Sequence, residues 1–174
     1  MQKIFLIGYM GAGKTAVGKL LAKKMNLAFI DVDAFIENRY RKSIAAIFEE
    51  KGEPGFREIE RRTLAELIGF ENTVISTGGG LPCFFDNMDV MNKTGITVYL
   101  KVGVEELVRR LHSGKHKRPL IKDKSAEDLY EFVSRNLEKR ADFYSKAAVV
   151  FDVMDCDTNI DTEVDNLISK LYIG

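Results

Sequence analysis

Residues 8–15 read Gly-Tyr-Met-Gly-Ala-Gly-Lys-Thr and satisfy G-x-x-x-x-G-K-[ST] at every defined position. The pattern constrains the fold because it works only where a buried strand turns through glycines into a helix. The flanks supply both elements. Lys3 to Ile7 reads as a short buried strand, and Lys14 to Met25 reads as a helix with Val17, Leu20, Leu21 and Met25 on one face. Such a junction is an anion site, because the first helical N–H groups lack intrahelical partners and the helix dipole adds positive potential. Gly11, Ala12, Gly13, Lys14, Thr15 and Ala16 are the candidate nucleotide-binding run. Lys14 is placed to reach the β- and γ-phosphates of a nucleoside triphosphate, and the Thr15 hydroxyl to hold Mg²⁺.

The rest of the chain alternates strands and helices. Leu27 to Ile30 reads as a second strand, ending at Asp31-Val32-Asp33. Strand alternation would point Asp31 and Asp33 the same way, one toward Mg²⁺ and one toward substrate. The other reading makes an aspartate the N-cap of a helix over Ala34 to Tyr40, with a solvated neighbour. Ile44 to Lys51 reads as a short helix capped by Ser43 and ended by Gly52. A second helix, Gly55 to Ile68, carries Arg57, Glu58, Glu60, Arg61 and Arg62. These charges form i,i+3 and i,i+4 pairs that a solvated face would also show. Thr73 to Ser76 is a third strand, followed by Thr77 and the triplet Gly78-Gly79-Gly80, a sequence suited to backbone lying against a ligand. Phe84 to Asn92 reads as a helix, Ile96 to Leu100 as a strand and Val104 to Leu111 as a helix. His112 to Leu120 is basic and reads as a mobile loop, suited to closing over a triphosphate. A helix over Ala126 to Tyr144, a strand over Ala148 to Phe151 and a helix over Thr162 to Tyr172 complete the chain. This succession predicts an α/β fold in three α/β/α layers around a five-stranded parallel sheet.

At 174 residues the chain suits one domain, 1–174. Lys and Arg total 26 and Asp and Glu total 26, so no general pull toward nucleic acid or anionic membrane is expected. Cys83 and Cys156 have no metal-ligand spacing and read as free thiols of a reducing compartment. No apolar run approaches a membrane span, and the first residues lead directly into a strand, so a cytoplasmic protein is expected; nothing in the sequence suggests an obligate interface, so a monomer is expected.

Taken together, these motifs resemble the shikimate kinases from Lys3 to about Val153. The loop at residues 8–15, Asp31-Val32-Asp33, Ser43-Ile44 through Phe48, Gly52-Glu53-x-x-Phe56-Arg57-x-x-Glu60, Thr77 with its three glycines, Arg118-Pro119-Leu120, and Glu138-Lys139-Arg140 with Tyr144 occur in the family's order. The resemblance implies a P-loop kinase fold with sheet order 2-3-1-4-5, a substrate segment over residues 33–62 and a lid over 112–124. It implies transfer of the ATP γ-phosphate to the 3-hydroxyl of shikimate, with Mg²⁺, in aromatic amino-acid biosynthesis. By position, Asp33, Arg57, Arg140 and the triplet, chiefly Gly79 with Gly78 and Gly80, would hold shikimate. Phe48 and Phe56 would wall its pocket. Arg118 would reach the phosphates, Arg110 would lie on the adenine and Asp31 would hold Mg²⁺ through water. Lys14, Asp33 and Arg118 are the candidate catalytic residues. Two stretches depart from the family pattern. Residues 155–159 lack the proline or basic residue associated with the adenine side, and Lys115-His116-Lys117 makes the lid more basic. The competing readings are another small-molecule kinase of this fold, such as a gluconate kinase, and a nucleotide-binding regulator without catalysis.

Overall fold

The computed structural model describes residues 2–113, 125–153 and 159–173. The elements run β1 (Lys3–Ile7), α1 (Lys14–Met25), β2 (Ala28–Asp31), α2 (Val32–Tyr40), α3 (Ile44–Leu67), β3 (Thr73–Ser76), a 3-10 turn (Leu81–Cys83), α4 (Asn87–Thr94), β4 (Ile96–Lys101), α5 (Val104–Ser113), α6 (Ala126–Tyr144), β5 (Val149–Asp152) and α7 (Ile160–Ile173). The five strands form one parallel sheet in the order β2-β3-β1-β4-β5. Pairing is in register across the centre, with Phe5 of β1 opposite Ile75 of β3 and Thr97 of β4.

Strand alternation splits the core in two. Ile4 and Leu6 point to one face of the sheet, where α1, α5, α6 and α7 bury Val17, Leu21, Leu107, Val133 and Leu167 against them. Phe5 and Ile7 point to the other, covered by Ile36 of α2, Leu64 and Leu67 of α3 and Met91 of α4. Because all strands are parallel, the segments after β1, β2 and β3 emerge on one edge, the edge where open α/β sheets bind ligands.

Most boundaries agree with the sequence reading to within two residues, and three arrangements differ from it, each for a local reason. The second strand stops at Asp31, and Asp33 is already in the first turn of α2, because Asp31 caps that helix. The strand-alternation argument for Asp31 and Asp33 is therefore replaced by a helix-cap geometry. The helices on either side of Gly52 run on as one element, broken only at Gly52 (φ 65°, ψ 177°), while Pro54 lacks the N–H that the break would leave unpaired. The fourth helix starts at Asn87 instead of Phe84, because the 3-10 turn and a left-handed Phe85 (φ 52°) precede it.

Candidate active site

Gly13 is the N-cap of α1 in a left-handed conformation (φ 90°, ψ 11°), and no side chain caps that helix. Its first amides therefore stay available to a ligand. Gly8 (φ 143°) is also forced: a Cβ there would stand 2.8 Å from the Leu100 carbonyl oxygen. Beside this loop lies a cavity of about 450 Å³ lined by Gly11, Gly13, Lys14, Thr15, Ala16, Asp31, Asp33, Gly79 and Arg110. Of the candidate nucleotide run, Ala12 faces away. Its side chain is in the core and its N–H donates to the Tyr9 carbonyl at 3.1 Å, so it shapes the loop.

Lys14 Nζ donates to the Gly8 and Tyr9 carbonyls at 2.8 and 2.9 Å, folded over the loop it belongs to. Thr15 Oγ1 donates to Asp31 Oδ2 at 2.8 Å, while Asp31 Oδ1 accepts from the N–H groups of Asp33 and Ala34 at 3.1 and 3.2 Å. Thus the helix cap and the group beside Thr15 are one carboxylate. Among the described residues no cluster of three or more His, Cys, Asp or Glu side chains could cage a metal. The Thr15–Asp31 pair still suits Mg²⁺, which takes few protein oxygens and completes its shell with water and phosphate. Arg110 reaches the cavity from α5, where its Nε donates to Glu106 Oε1 at 2.5 Å; Glu106 also holds Arg109.

The substrate side continues from Asp33. A Cβ on Gly78 would lie 2.8 Å from Glu60 Oε1 and 3.0 Å from Asp33 Oδ1, so only glycine fits between these two carboxylates. Burial, and then the negative charge of Asp31, hold the Asp33 carboxyl above the usual range, with Lys14 opposing. Arg57 is 9% exposed and Glu60 1%, although the charge pattern of α3 was compatible with a solvated face. Arg57 Nη1 donates to Glu60 Oε2 at 2.7 Å and Nη2 to Glu53 Oε1 at 2.9 Å. Burial pushes Glu60 up to about 7 against the pull of Arg57. The Phe84 ring lies 4.2 Å from the Arg57 guanidinium carbon, with Phe56 and Phe48 at 5.5 and 5.7 Å. Arg140 comes from α6, 5.2 Å above the Tyr9 ring, and its Nη1 is 3.2 Å from where a Gly79 Cβ would be. Among the described residues, no protein acceptor takes the N–H of Gly78, Gly79 or Gly80.

The structure thus brings Asp33, Arg57, Arg140, Phe48, Phe56 and the glycine triplet together beside the P-loop. Arg118, most of the lid segment 112–124 and the stretch 155–158, including Cys156, lie outside the described residues. Cys83 is a half-buried free thiol that burial pushes up to about 11. Sequence reasoning assigned no role to Glu60, Phe84, Glu106 or Tyr144. Glu60 and Glu106 had a signal, their spacing from Arg57 and Arg110; Phe84 had none, because a left-handed Phe85 is not readable from local propensity.

A 2-3-1-4-5 parallel sheet with a glycine loop, the lysine that follows it and a Thr–Asp pair at its carboxyl edge defines a P-loop kinase. A solved deoxyadenosine kinase from M. mycoides, 18% identical over 99% of this chain and all of its own, shares that fold at a TM-score of 0.64. Residues 10–172 match the family model described as shikimate kinase. A curated shikimate kinase of Parabacteroides distasonis is 54% identical over 98% of this chain and 99% of its own. The crystal structure of shikimate kinase from Bacteroides thetaiotaomicron superposes with a TM-score of 0.95 at 48% identity, covering 98% of both chains. That of the Acinetobacter baumannii enzyme in complex with shikimate gives 0.87 at 31% identity, covering 99% of this chain and 94% of its own. The chain belongs to the shikimate kinase family, whose members use ATP with Mg²⁺.

Proposed function

We propose that this chain transfers the γ-phosphate of ATP to the 3-hydroxyl of shikimate, releasing shikimate 3-phosphate and ADP, as a step of aromatic amino-acid biosynthesis. The observation that carries this reading is a pair of arginines, Arg57 buried and Arg140 half-buried, set against the glycine triplet beside Asp33. Two guanidinium forks and a row of available N–H groups suit a carboxylate, and a carboxylate beside them suits hydroxyls. Shikimate carries both. A straight-chain sugar acid would not need an aromatic wall of Phe48, Phe56 and Phe84.

Phosphoryl transfer depends mainly on positioning and charge neutralisation. The α1 amides and Lys14 hold the phosphates; on binding, Lys14 exchanges the Gly8 and Tyr9 carbonyls for phosphate oxygens. Thr15 and Asp31 are the residues that would hold Mg²⁺, which when bound would supply charge neutralisation at the phosphates. Asp33 accepts the hydrogen bond of the attacking hydroxyl and orients it, and its raised pKa makes it a better proton acceptor. Arg110 lies on the base, and Arg118, within the lid 112–124, reaches the phosphates. The chain acts as a single domain, with residues 33–62 on the substrate side, and as a cytoplasmic monomer. Zero formal net charge and the lack, among the described residues, of a helix long and apolar enough to cross a membrane support small-molecule substrates over nucleic-acid or membrane partners.

ADP release with ATP and Mg²⁺ tests this directly, comparing shikimate, gluconate and quinate. Release on shikimate alone is expected. Release on gluconate alone would transfer the assignment to the competing kinase. No release on any, with ATP still bound, would favour a regulator. Asp33→Asn is expected to lose turnover while still binding ATP; near-normal turnover would remove Asp33 from the chemistry.

A further inference from the structure

Tyr144 ends α6 one helical turn after Arg140 and is fully buried, its ring 4.9 Å from that of Tyr99. Its hydroxyl donates to the Gly79 carbonyl at 2.6 Å, across 65 residues of sequence. Arg140 interacts with the same hydroxyl and lies against Gly79 itself. Burial pushes Tyr144 above the ordinary phenol range, so the hydroxyl keeps its proton and can only donate it to the carbonyl.

We propose that the Tyr144 hydroxyl is a positioning group that locks Arg140 and the Gly79–Gly80 peptide into one register, presenting both to the substrate carboxylate as a single fork. The inference deepens the reading above and rests on Arg140 and the glycine triplet binding that carboxylate. The geometry works through peptide planarity. With no cis bond among the described residues, holding the Gly79 carbonyl toward Tyr144 turns the Gly80 N–H to the opposite side of the same peptide plane. That is the side away from the Tyr144 hydroxyl, and the Cα of the same residue packs against the Arg57 guanidinium. A triplet of glycines has the largest backbone freedom of any three residues, and an external anchor is what removes it. The same oxygen fixes one edge of the Arg140 guanidinium, leaving the remaining N–H groups for the ligand. Tyr144 touches no substrate in this scheme; it acts through Arg140 and Gly79.

Tyr144→Phe keeps the ring and its contact with Tyr99 and removes only the bridge. The expected result is a KM for shikimate raised about tenfold, the scale of one hydrogen bond to a charged site, with kcat and the KM for ATP nearly unchanged. The discriminating probe is the analogue with a neutral carboxamide in place of the carboxylate. Its binding, read by thermal shift with no turnover required, should be equal in wild type and Tyr144→Phe. A KM for shikimate unchanged by Tyr144→Phe overturns the proposal. So does an equal loss for shikimate and the carboxamide, or a loss spread over kcat and ATP, which marks a purely structural tyrosine. Arg140→Lys separates the two levels. If it leaves shikimate binding intact, the carboxylate reading itself has failed. If it weakens shikimate and Tyr144→Phe does not, only the bridge has failed. In the double variant the two losses should be less than additive.

Discussion

Gly80→Ala isolates the packing that holds Arg57. The backbone of Gly80 (φ −86°, ψ −25°) is ordinary for any residue, so alanine meets no torsional penalty. On chain entropy alone it would gain about 0.4–1 kcal/mol. The obstacle is steric: the new Cβ would stand 2.6 Å from Arg57 Nη1 and 2.8 Å from Cζ and Nη2, against an ordinary contact of at least 3.4 Å. Arg57 is a flexible residue type, yet here it has nowhere to go. Nη1 is the atom that donates to buried Glu60 at 2.7 Å, Nη2 is held by Glu53, and Phe84 lies over the guanidinium carbon. A retreat of about 0.8 Å by Nη1 breaks its bond to Glu60, worth roughly 1.5–3 kcal/mol for a charged group, comparable to the 1–3 kcal/mol typical of overpacking. Allowing for the entropic gain, we expect a net destabilisation of about 2 kcal/mol, which at this chain length lowers Tm by roughly 4–8 °C. Urea titration reads the stability. Steady-state kinetics should show the KM for shikimate raised at least about tenfold and that for ATP within about twofold. A variant as stable as wild type with an unchanged KM for shikimate would refute the claim that Arg57 is pinned.

Glu60→Gln tests the buried carboxyl through pH. Its folded pKa of about 7 lies above the unfolded value of 4.5, so this group's stabilising term is present below pH 4.5 and is lost as pH rises toward 7. The wild type should therefore lose more stability than Glu60→Gln between pH 5 and 7, by at most about 3 kcal/mol in chemical denaturation, and parallel pH profiles would contradict it. The Tyr9 hydroxyl is buried with no hydrogen-bond partner among the described residues, so Tyr9→Phe should raise stability by about 1 kcal/mol. A loss of thermal stability would mean that the hydroxyl is satisfied after all. Glu106→Ala frees Arg110 from its anchor at the cavity rim. Because the pair is partly exposed, the KM for ATP should rise only about three- to fivefold, with shikimate unaffected; an unchanged KM for ATP would remove Glu106 from nucleotide positioning.

What the sequence determined by itself was everything carried by local pattern. The glycine loop, its strand and its helix are a contiguous run, and their chemistry follows from backbone geometry at adjacent residues. Helix α6 runs from Ala126 to Tyr144 as its capping serine and apolar period predicted. The alternation of strands and helices implied a parallel sheet, although the order 2-3-1-4-5 came through family resemblance, since strand order is a long-range choice that no residue pattern encodes. Tertiary structure decided the rest. Arg57 and Glu60 form the same i,i+3 pair in sequence as they would on a wet surface; only the packing of Phe84 and the glycine triplet over them turns that pair into a buried, desolvated one. Asp31 could cap a helix or stand beside Thr15, and folding made it do both because β2 ends where α1 begins across the sheet edge. Tyr144 and Gly79 are strangers in sequence, and their hydrogen bond exists because α6 closes over the end of β3. Burial and long-range contact are properties of the assembled chain, and they set the pKa of Glu60 and the register of Arg140.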